Sequence, residues 1–319
     1  PSSAASDVYK RQLPPVILDW IDNSNKERQT QLEQGDFTVT QLLANPKEQY
    51  LLQRNPEIEI DASRFIALLS GEAWHTGIAK NSTDRRANGA LVEKRYSVKY
   101  HGWKITGQPD IIDGDYLMDY KESTVGRFAK GVPQEYENQL NFYHYILTSN
   151  GIHPKFMGIW VKYKDYMPSR SGTNHYPDAQ MEYFPVQIWD YDEQDAFIKS
   201  RLEAHVGNLN SQLDKMDMPQ CTDEERSYSN EVQALMKKGG KRSLHNAATH
   251  DDAQAWIDGN NTRVKKDQLV IEHRPGIYRK CENYCFASSV CDQYNNTSVS
   301  YTHLRAHETV LDLVCRLLL

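Results

Sequence analysis

The chain has 319 residues, 39% of them hydrophobic, and 37 Lys and Arg stand against 43 Asp and Glu for a net charge of −6. That balance offers no global attraction to nucleic acid or to an anionic membrane surface, so any basic footprint has to be local. No run approaches the roughly 18 apolar residues that cross a bilayer, which predicts no membrane-spanning helix.

The two ends do not read like the rest. Residues 2–12, Ser-Ser-Ala-Ala-Ser-Asp-Val-Tyr-Lys-Arg-Gln, match the in-frame translation of a transposase sequencing adapter. Residues 299–309, Val-Ser-Tyr-Thr-His-Leu-Arg-Ala-His-Glu-Thr, match its partner adapter, and 312–319 read as the flow-cell tail. The expectation is a gene fragment in which 1–12 and 298–319 are adapter-derived and stand outside fold reasoning. Setting them aside removes four basic and three acidic residues, so 37 becomes 33, 43 becomes 40 and the net charge becomes −7. The remaining 13–297 is long enough for one sizeable core, expected over 13–218, and a small appendage over 219–297.

In chain order, Phe37-Thr-Val-Thr40 leads into a helix expected over Gln41–Arg54 with Thr40 as N-cap, and a second helix is expected over Ala62–Lys80, capped by Asp61 or Ser63. The period then changes to two. Leu91-Val92, Tyr96–Tyr100, Trp103–Thr106, Asp110–Ile112 and Tyr116–Lys121 are short strand-like runs, punctuated by His101-Gly102 and Asp113-Gly114-Asp115. They predict an antiparallel meander. Helical spacing returns after Pro133 with Tyr136, Leu140, Tyr143 and Leu147, closed by Asn150-Gly151. Strands follow at Phe156–Val161 and Met181–Ile188, then a helix over Glu193–Asn208, and Pro219 opens a polar segment ending in a cysteine cluster. The order predicts an α/β fold, a mixed central sheet flanked by helices.

The chemistry concentrates on Leu117-Met-Asp-Tyr-Lys121. Strand period puts Leu117, Asp119 and Lys121 on one face and turns Met118 and Tyr120 the other way, towards the expected core. An Asp and a Lys on an apolar strand are costly to bury unless paired or functional. Asp110 lies one strand earlier across a tight turn and is expected to meet Asp119. Two carboxylates held together repel unless a divalent cation joins them, and oxygen ligands favour Mg²⁺ or Mn²⁺. Lys121 could then orient, or help to deprotonate, the attacking water.

Gly107-Gln-Pro-Asp110 followed by Asp119-Tyr-Lys121 resembles the signature of the PD-(D/E)XK nuclease superfamily. Gly71-Glu-Ala-Trp-His75 resembles the Gly-x-x-x-His motif of RecB-type and phage exonuclease domains, Gln139-x-x-x-Tyr143 their Gln-x-x-x-Tyr motif, and Phe37–Leu43 the helix-opening segment before them. Together these cover roughly residues 36–210 in the family's order. The resemblance implies a restriction-endonuclease-like core. It implies a metal held by His75, Asp110, Asp119 and the Tyr120 carbonyl, a water positioned by Lys121, and Gln139 bracing the lysine strand or touching the DNA backbone, one turn before Tyr143. The implied reaction is phosphodiester hydrolysis of linear or single-stranded DNA ends in phage or bacterial recombination and repair, in the cytoplasm, beside a recombinase or helicase. One departure stands out: related domains often carry an acidic residue shortly after the histidine, and Ile78-Ala79-Lys80 offers none. The alternative reading is a non-catalytic DNA-binding or assembly module of the same fold with a structural cysteine–metal site.

With Cys315 assigned to the adapter, Cys221, Cys281, Cys285 and Cys291 remain. Such clustering without a visible secretion signal favours metal ligation over disulfides. The spacing resembles the C-terminal cysteines of iron–sulfur RecB-type nucleases, with a one-residue insertion and with Cys221 after the core instead of before it. Four thiolates suit a [4Fe–4S] cluster or a structural Zn²⁺. Lys237-Lys-Gly-Gly-Lys-Arg242, Lys265-Lys266 and Arg279-Lys280 are candidates for a local phosphate-binding stripe.

Overall fold

The structure, a computed structural model, describes residues 13–32, 35–173, 176–210, 219–259 and 264–298. Residues 1–12 and 299–319, which hold the adapter-like ends and Cys315, lie outside the described residues. Two units are distinguished. One runs to Tyr50 and from Pro56 to Gln212; the other comprises Leu51–Asn55 and the chain from Leu213 onward.

The first unit opens with α1 (Pro15–Leu32) and a short strand, β1 (Phe37–Thr38). The helix expected over Gln41–Arg54 is instead two helices, α2 (Val39–Leu43) and α3 (Pro46–Arg54). Pro46 has no N–H and disfavours α geometry at the residue before it, so the helix cannot run through. The N-cap is Thr38, not Thr40. Its hydroxyl accepts from Gln41 N at 3.1 Å while the Gln41 side chain accepts from Thr38 N at 2.8 Å, a reciprocal capping box. The second expected helix forms as a 3₁₀ turn, Ala62–Phe65, running into α4 (Ile66–Lys80), and α5 (Thr83–Ala87) follows.

The strands β2 (Leu91–Val92), β3 (Tyr96–Tyr100), β4 (Trp103–Gly107), β5 (Ile111–Asp113) and β6 (Tyr116–Ser123) form where the period-two runs lie. They do not make one meander. β3 and β4 are a hairpin whose outer partner is β1, parallel to β4, whereas β5 and β6 are a hairpin in a different sheet. The switch falls at Gln108-Pro109, where a proline cannot donate to a ladder. After α6 (Val125–Phe128), the helix α7 (Gln134–Ser149) crosses over to β7 (Phe156–Tyr163), parallel to β6, and β8 (Met181–Val186) adds antiparallel to β7. The second sheet therefore has the order β2-β5-β6-β7-β8, and α8 (Tyr191–Asn210) completes the unit. This is the mixed α/β architecture expected from the element order.

α7 touches β3, β4, β6 and β7 and so bridges both sheets. It contributes Leu140, Phe142, Tyr143, Ile146 and Leu147 to the main apolar cluster, which also holds Leu117, Ile105 and Ile159. Leu117 and Asp119 are therefore on the deep face of β6, 0% and 2% exposed. Met118 and Tyr120, expected towards the core, are only half-buried. Their face is the one α4 covers, with Ser70 Oγ donating to Glu122 Oε2 at 2.5 Å and the Lys162 ammonium lying 4.4 Å from the Trp74 ring centre. Both faces of β6 are covered, and the larger helix defines the deeper one.

The polar stretch past Pro219 carries its own sheet. β9 (Tyr228–Ser229), β10 (Val232–Lys237), β11 (Ser243–Ala247), α9 (His250–Asp258), β12 (Leu269–Arg274), β13 (Ile277–Tyr278), α10 (Arg279–Asn283) and α11 (Asp292–Ser298) follow in order. β10 is the centre of an antiparallel β11-β10-β12 sheet, and β9 pairs with β13. Two small clusters hold this unit: Leu235, Ala247 and Ala253 under the sheet, and Leu51, Ala287 and Cys291. No helix among the described residues is long and apolar enough to cross a membrane.

Candidate metal centre

Asp110 sits immediately after the proline at which the chain changes sheets. Its Oδ2 accepts from Tyr120 N at 2.8 Å and lies 3.1 Å from His75 Nδ1. Tyr120 N–H is open to this contact because β5 pairs with β6 only over Ile111↔Met118 to Asp113↔Tyr116. The N–H and C=O of a strand residue address the same edge, so the Tyr120 carbonyl points to the Asp110 side as well. α4 brings His75 to that edge, anchored by Ser70 and Trp74 as above and by Glu72 Oε1, which accepts from Trp20 Nε1 at 2.9 Å and Ser24 Oγ at 2.7 Å.

On the deep face, Lys121 Nζ lies 2.7 Å from Asp119 Oδ2. That ammonium is the partner of the buried Asp119 Oδ2, which receives no other hydrogen bond. Tyr136, which the sequence pattern marked only as a core position, places its ring 5.2 Å from the lysine ammonium. Gln139 Nε2 donates to Tyr143 Oη at 3.0 Å, so these two motif residues meet each other. Tyr143 lies so close to β4 that a Cβ at Gly107 would stand 3.0 Å from Tyr143 Cδ1 and 3.1 Å from Val39 Cγ2. Gly107 is there to admit the ring.

The electrostatics are set by burial and by the charges of neighbouring groups. Burial raises the Asp119 carboxyl above the ordinary range; Lys121 opposes this and the neighbouring Asp110 charge adds to it. Burial works against the Lys121 ammonium, but the charges of Asp119 and Asp110 outweigh it and hold the lysine well above its usual range. Burial also works against a charged His75, and here the hydrogen bond and charge of Asp110, joined by Asp119, outweigh it. Tyr143 is pushed up by burial and then by the Asp119 charge, so its hydroxyl stays protonated.

One residue of this site was missed. Glu93, in the turn after β2, has a carboxylate oxygen that lies with His75 and Asp110 ligand atoms in a group all within 4.8 Å of one another. It stands in a three-residue charged turn, Glu93-Lys94-Arg95, and nothing in its spacing marks it. These two carboxylates and the imidazole form a donor set that suits a hard divalent cation such as Mg²⁺ or Mn²⁺, whereas Asp119, expected to meet Asp110, is within reach of its charge but is not drawn into that group and pairs with Lys121.

In the second unit, Cys221, Cys281, Cys285 and Cys291 are all free of disulfides, with Cys281 and Cys291 buried. Their segments are tied together. Gln293, two residues past Cys291, accepts from Cys221 N and donates to Cys221 O, both at 2.8 Å. Arg226 O accepts from Lys280 N at 3.1 Å, and the Arg226 guanidinium donates to Thr297 Oγ1 at 3.0 Å while stacking 3.3 Å from the Tyr278 ring centre. Arg226 thus joins all three cysteine-bearing segments. Among the described residues no three of these sulfurs form a group within 4.8 Å as the His75 set does. The exposed basic residues Lys237, Lys238, Lys241 and Arg242 form the β10–β11 turn. Lys265 and Lys266 join them at the same end of the sheet, because Lys237 pairs with Leu269 and Lys238 N donates to Gln268 O at 2.8 Å. Arg279 and Lys280 stand apart from that end, on α10.

No family model matches the chain, and no curated protein matches it. Among solved structures it is similar to the crystal structure of SSO0001, with a TM-score of 0.45 and 16% identity, covering 64% of this chain and 92% of that one. At that depth the likeness carries no argument about activity.

Proposed function

We propose that this chain is a Mg²⁺- or Mn²⁺-dependent deoxyribonuclease of the PD-(D/E)XK type, acting on linear or single-stranded DNA in phage or bacterial recombination and repair. The observation that carries the reading is that the fold gathers the ligand atoms of His75, Glu93 and Asp110 within 4.8 Å of one another, with the buried Asp119–Lys121 ion pair within electrostatic reach. A buried ion pair beside an imidazole and two carboxylates is costly for a fold that needed only a stable core.

In this reading His75, Asp110, Asp119 and the Tyr120 carbonyl hold the cation. When bound, the cation supplies positive charge at the scissile phosphate and lowers the pKa of the attacking water. Lys121 stands beside this site, 2.7 Å from Asp119. From there it orients the attacking water or helps to deprotonate it. Gln139 and Tyr143 act as a hydrogen-bonded pair that packs α7 against this strand. The four cysteines hold a [4Fe–4S] cluster or a Zn²⁺ ion, and the basic end of the β11-β10-β12 sheet supplies phosphate contacts that the net charge lacks. A cytoplasmic setting and a recombinase or helicase partner belong to the same proposal.

The test offers end-labelled linear duplex, single-stranded DNA and RNA of one sequence to the purified chain while Mg²⁺ and Mn²⁺ are titrated. DNA cleavage that needs the cation and stops with chelator is expected. No DNA cleavage at any cation concentration sinks the proposal, and cleavage of RNA alone moves it to another substrate.

A further inference from the structure

The sequence offers no acidic residue on α4 after His75, yet the fold brings one in from elsewhere. We infer that Glu93 is a side-chain ligand of the divalent cation, joining His75 and Asp110, and that Gln108 and Arg95 are positioning residues that aim it. This rests on the metal-centre reading above and deepens it.

Three observations support the assignment. First, the ligand atoms of Glu93, His75 and Asp110 all lie within 4.8 Å of one another. Two carboxylates brought this close repel unless a cation joins them. Second, the carboxylate is held, not free. Gln108 Nε2 donates to Glu93 Oε2 at 2.7 Å, and Gln108 Oε1 accepts from Arg95 at 2.8 Å, so a guanidinium fixes an amide and the amide fixes one carboxylate oxygen. That leaves Oε1 for a ligand. The backbone is held too, with Glu93 N donating to Asp110 O at 2.9 Å and a φ of 53° in the left-handed region that a non-glycine residue enters at a cost. Third, Asp119 is buried close enough for its charge to act on His75, and with Asp110 and Glu93 it sets three carboxylates against the Lys121 ammonium, an excess of negative charge that a divalent cation would balance.

The arrangement also gives Gln108 a role. It is the residue between Gly107 and Pro109, and its side chain lies just where the chain leaves one sheet for the other. An arginine–glutamine pair behind a carboxylate is the kind of outer support whose loss lowers metal affinity by about 10-fold.

The experiment is a Mn²⁺ titration of the full chain followed by electron paramagnetic resonance, with melting curves run without and with Mn²⁺. In E93Q, Mn²⁺ binding is expected to weaken by about 10-fold or more. Its cation-free melting temperature should be unchanged or raised, because a charge that Asp110 repels is gone, while the rise in melting temperature on adding Mn²⁺ shrinks. Q108L should weaken Mn²⁺ binding in the same direction without touching a ligand. If E93Q fails to fold, Q108L carries the same readout. Mn²⁺ affinity within twofold of the parent in the folded variant overturns the inference, as does a cation-free melting temperature that falls while affinity holds, since that is a purely structural role. The DNA proposal fails separately: a parent that binds Mn²⁺, an E93Q that does not, and no DNA cleavage by either would leave Glu93 a ligand and remove the nuclease.

Discussion

The two units both assemble ligand-type side chains, but from opposite materials. In the larger unit the groups come from a sheet and two helices packed around an extensive apolar cluster, and the ligand groups are carboxylates and an imidazole gathered at one place. In the smaller unit the cysteines sit in a loop, on the short helix α10 and around one-turn segments, held by Arg226, Gln293 and clusters centred on a few buried residues. The first arrangement rests on an extensive apolar core. The second has little else to hold it. Loss of the bound group should therefore cost chemistry in one unit and folding in the other.

The largest effect expected is in the smaller unit. Cys281→Ser with Cys291→Ser, or prolonged chelation, should abolish its melting transition, because structural Zn²⁺ in comparable small sites is worth about 10 kcal/mol or more of folding free energy. Calorimetry of the full chain checks this. The larger unit should still melt at its usual temperature, and a smaller unit that melts normally after losing its metal would break the contrast. Next comes Asp110→Asn. Its amide oxygen can still accept from Tyr120 N, so the fold should hold and the melting temperature should not fall, while DNA cleavage drops by about 10³-fold. A destabilised Asp110→Asn with proportionate activity loss would make the site structural.

Gly107→Ala is expected to cost about 1–3 kcal/mol, because the new methyl meets Tyr143 and Val39 in a packed core. Urea unfolding reads the loss, and an unchanged midpoint would mean that the α7 packing is looser than described. The smallest effect is one of pH. His205 is buried with Nε2 3.2 Å from Leu42 O, and burial followed by the nearby Arg201 lowers its pKa. Above the ordinary histidine value of about 6.5, folded and unfolded chains are both neutral there and the stability is intact. As pH falls below that value the unfolded chain takes up a proton that the folded chain resists, so stability is lost. Melting temperatures between about pH 7.5 and 5.0 should fall less in His205→Gln than in the parent. His75 works in the opposite sense, its pKa being raised, so the comparison with the variant isolates the His205 share.

The legible parts of the sequence were those where a local rule was sufficient. Period two, with turns at His101-Gly102 and Gly114, located β3 to β6, and the Asp119-x-Lys121 pair on an apolar strand pointed to the deep-face ion pair. The single helix over Gln41–Arg54 was misjudged although its breaker, Pro46, was in plain view. The meander failed for a different reason. β4 chooses β1 as its second partner over sixty residues away, and no local pattern reports strand order. The face of β6 was inverted because both sides are covered, and period two states that faces differ without saying which is deeper. Glu93 had no local signal at all. It becomes a site residue only through a left-handed turn and a hydrogen bond from Gln108.

The most direct test of the metal centre is a crystal of the chain soaked in Mn²⁺, with anomalous data collected at the manganese, iron and zinc edges. A manganese peak among His75, Asp110 and Asp119, with Glu93 in its ligand shell and a separate iron or zinc peak among the cysteines, is the predicted result. No manganese peak at that place, with the protein intact and the soak concentrated, contradicts it.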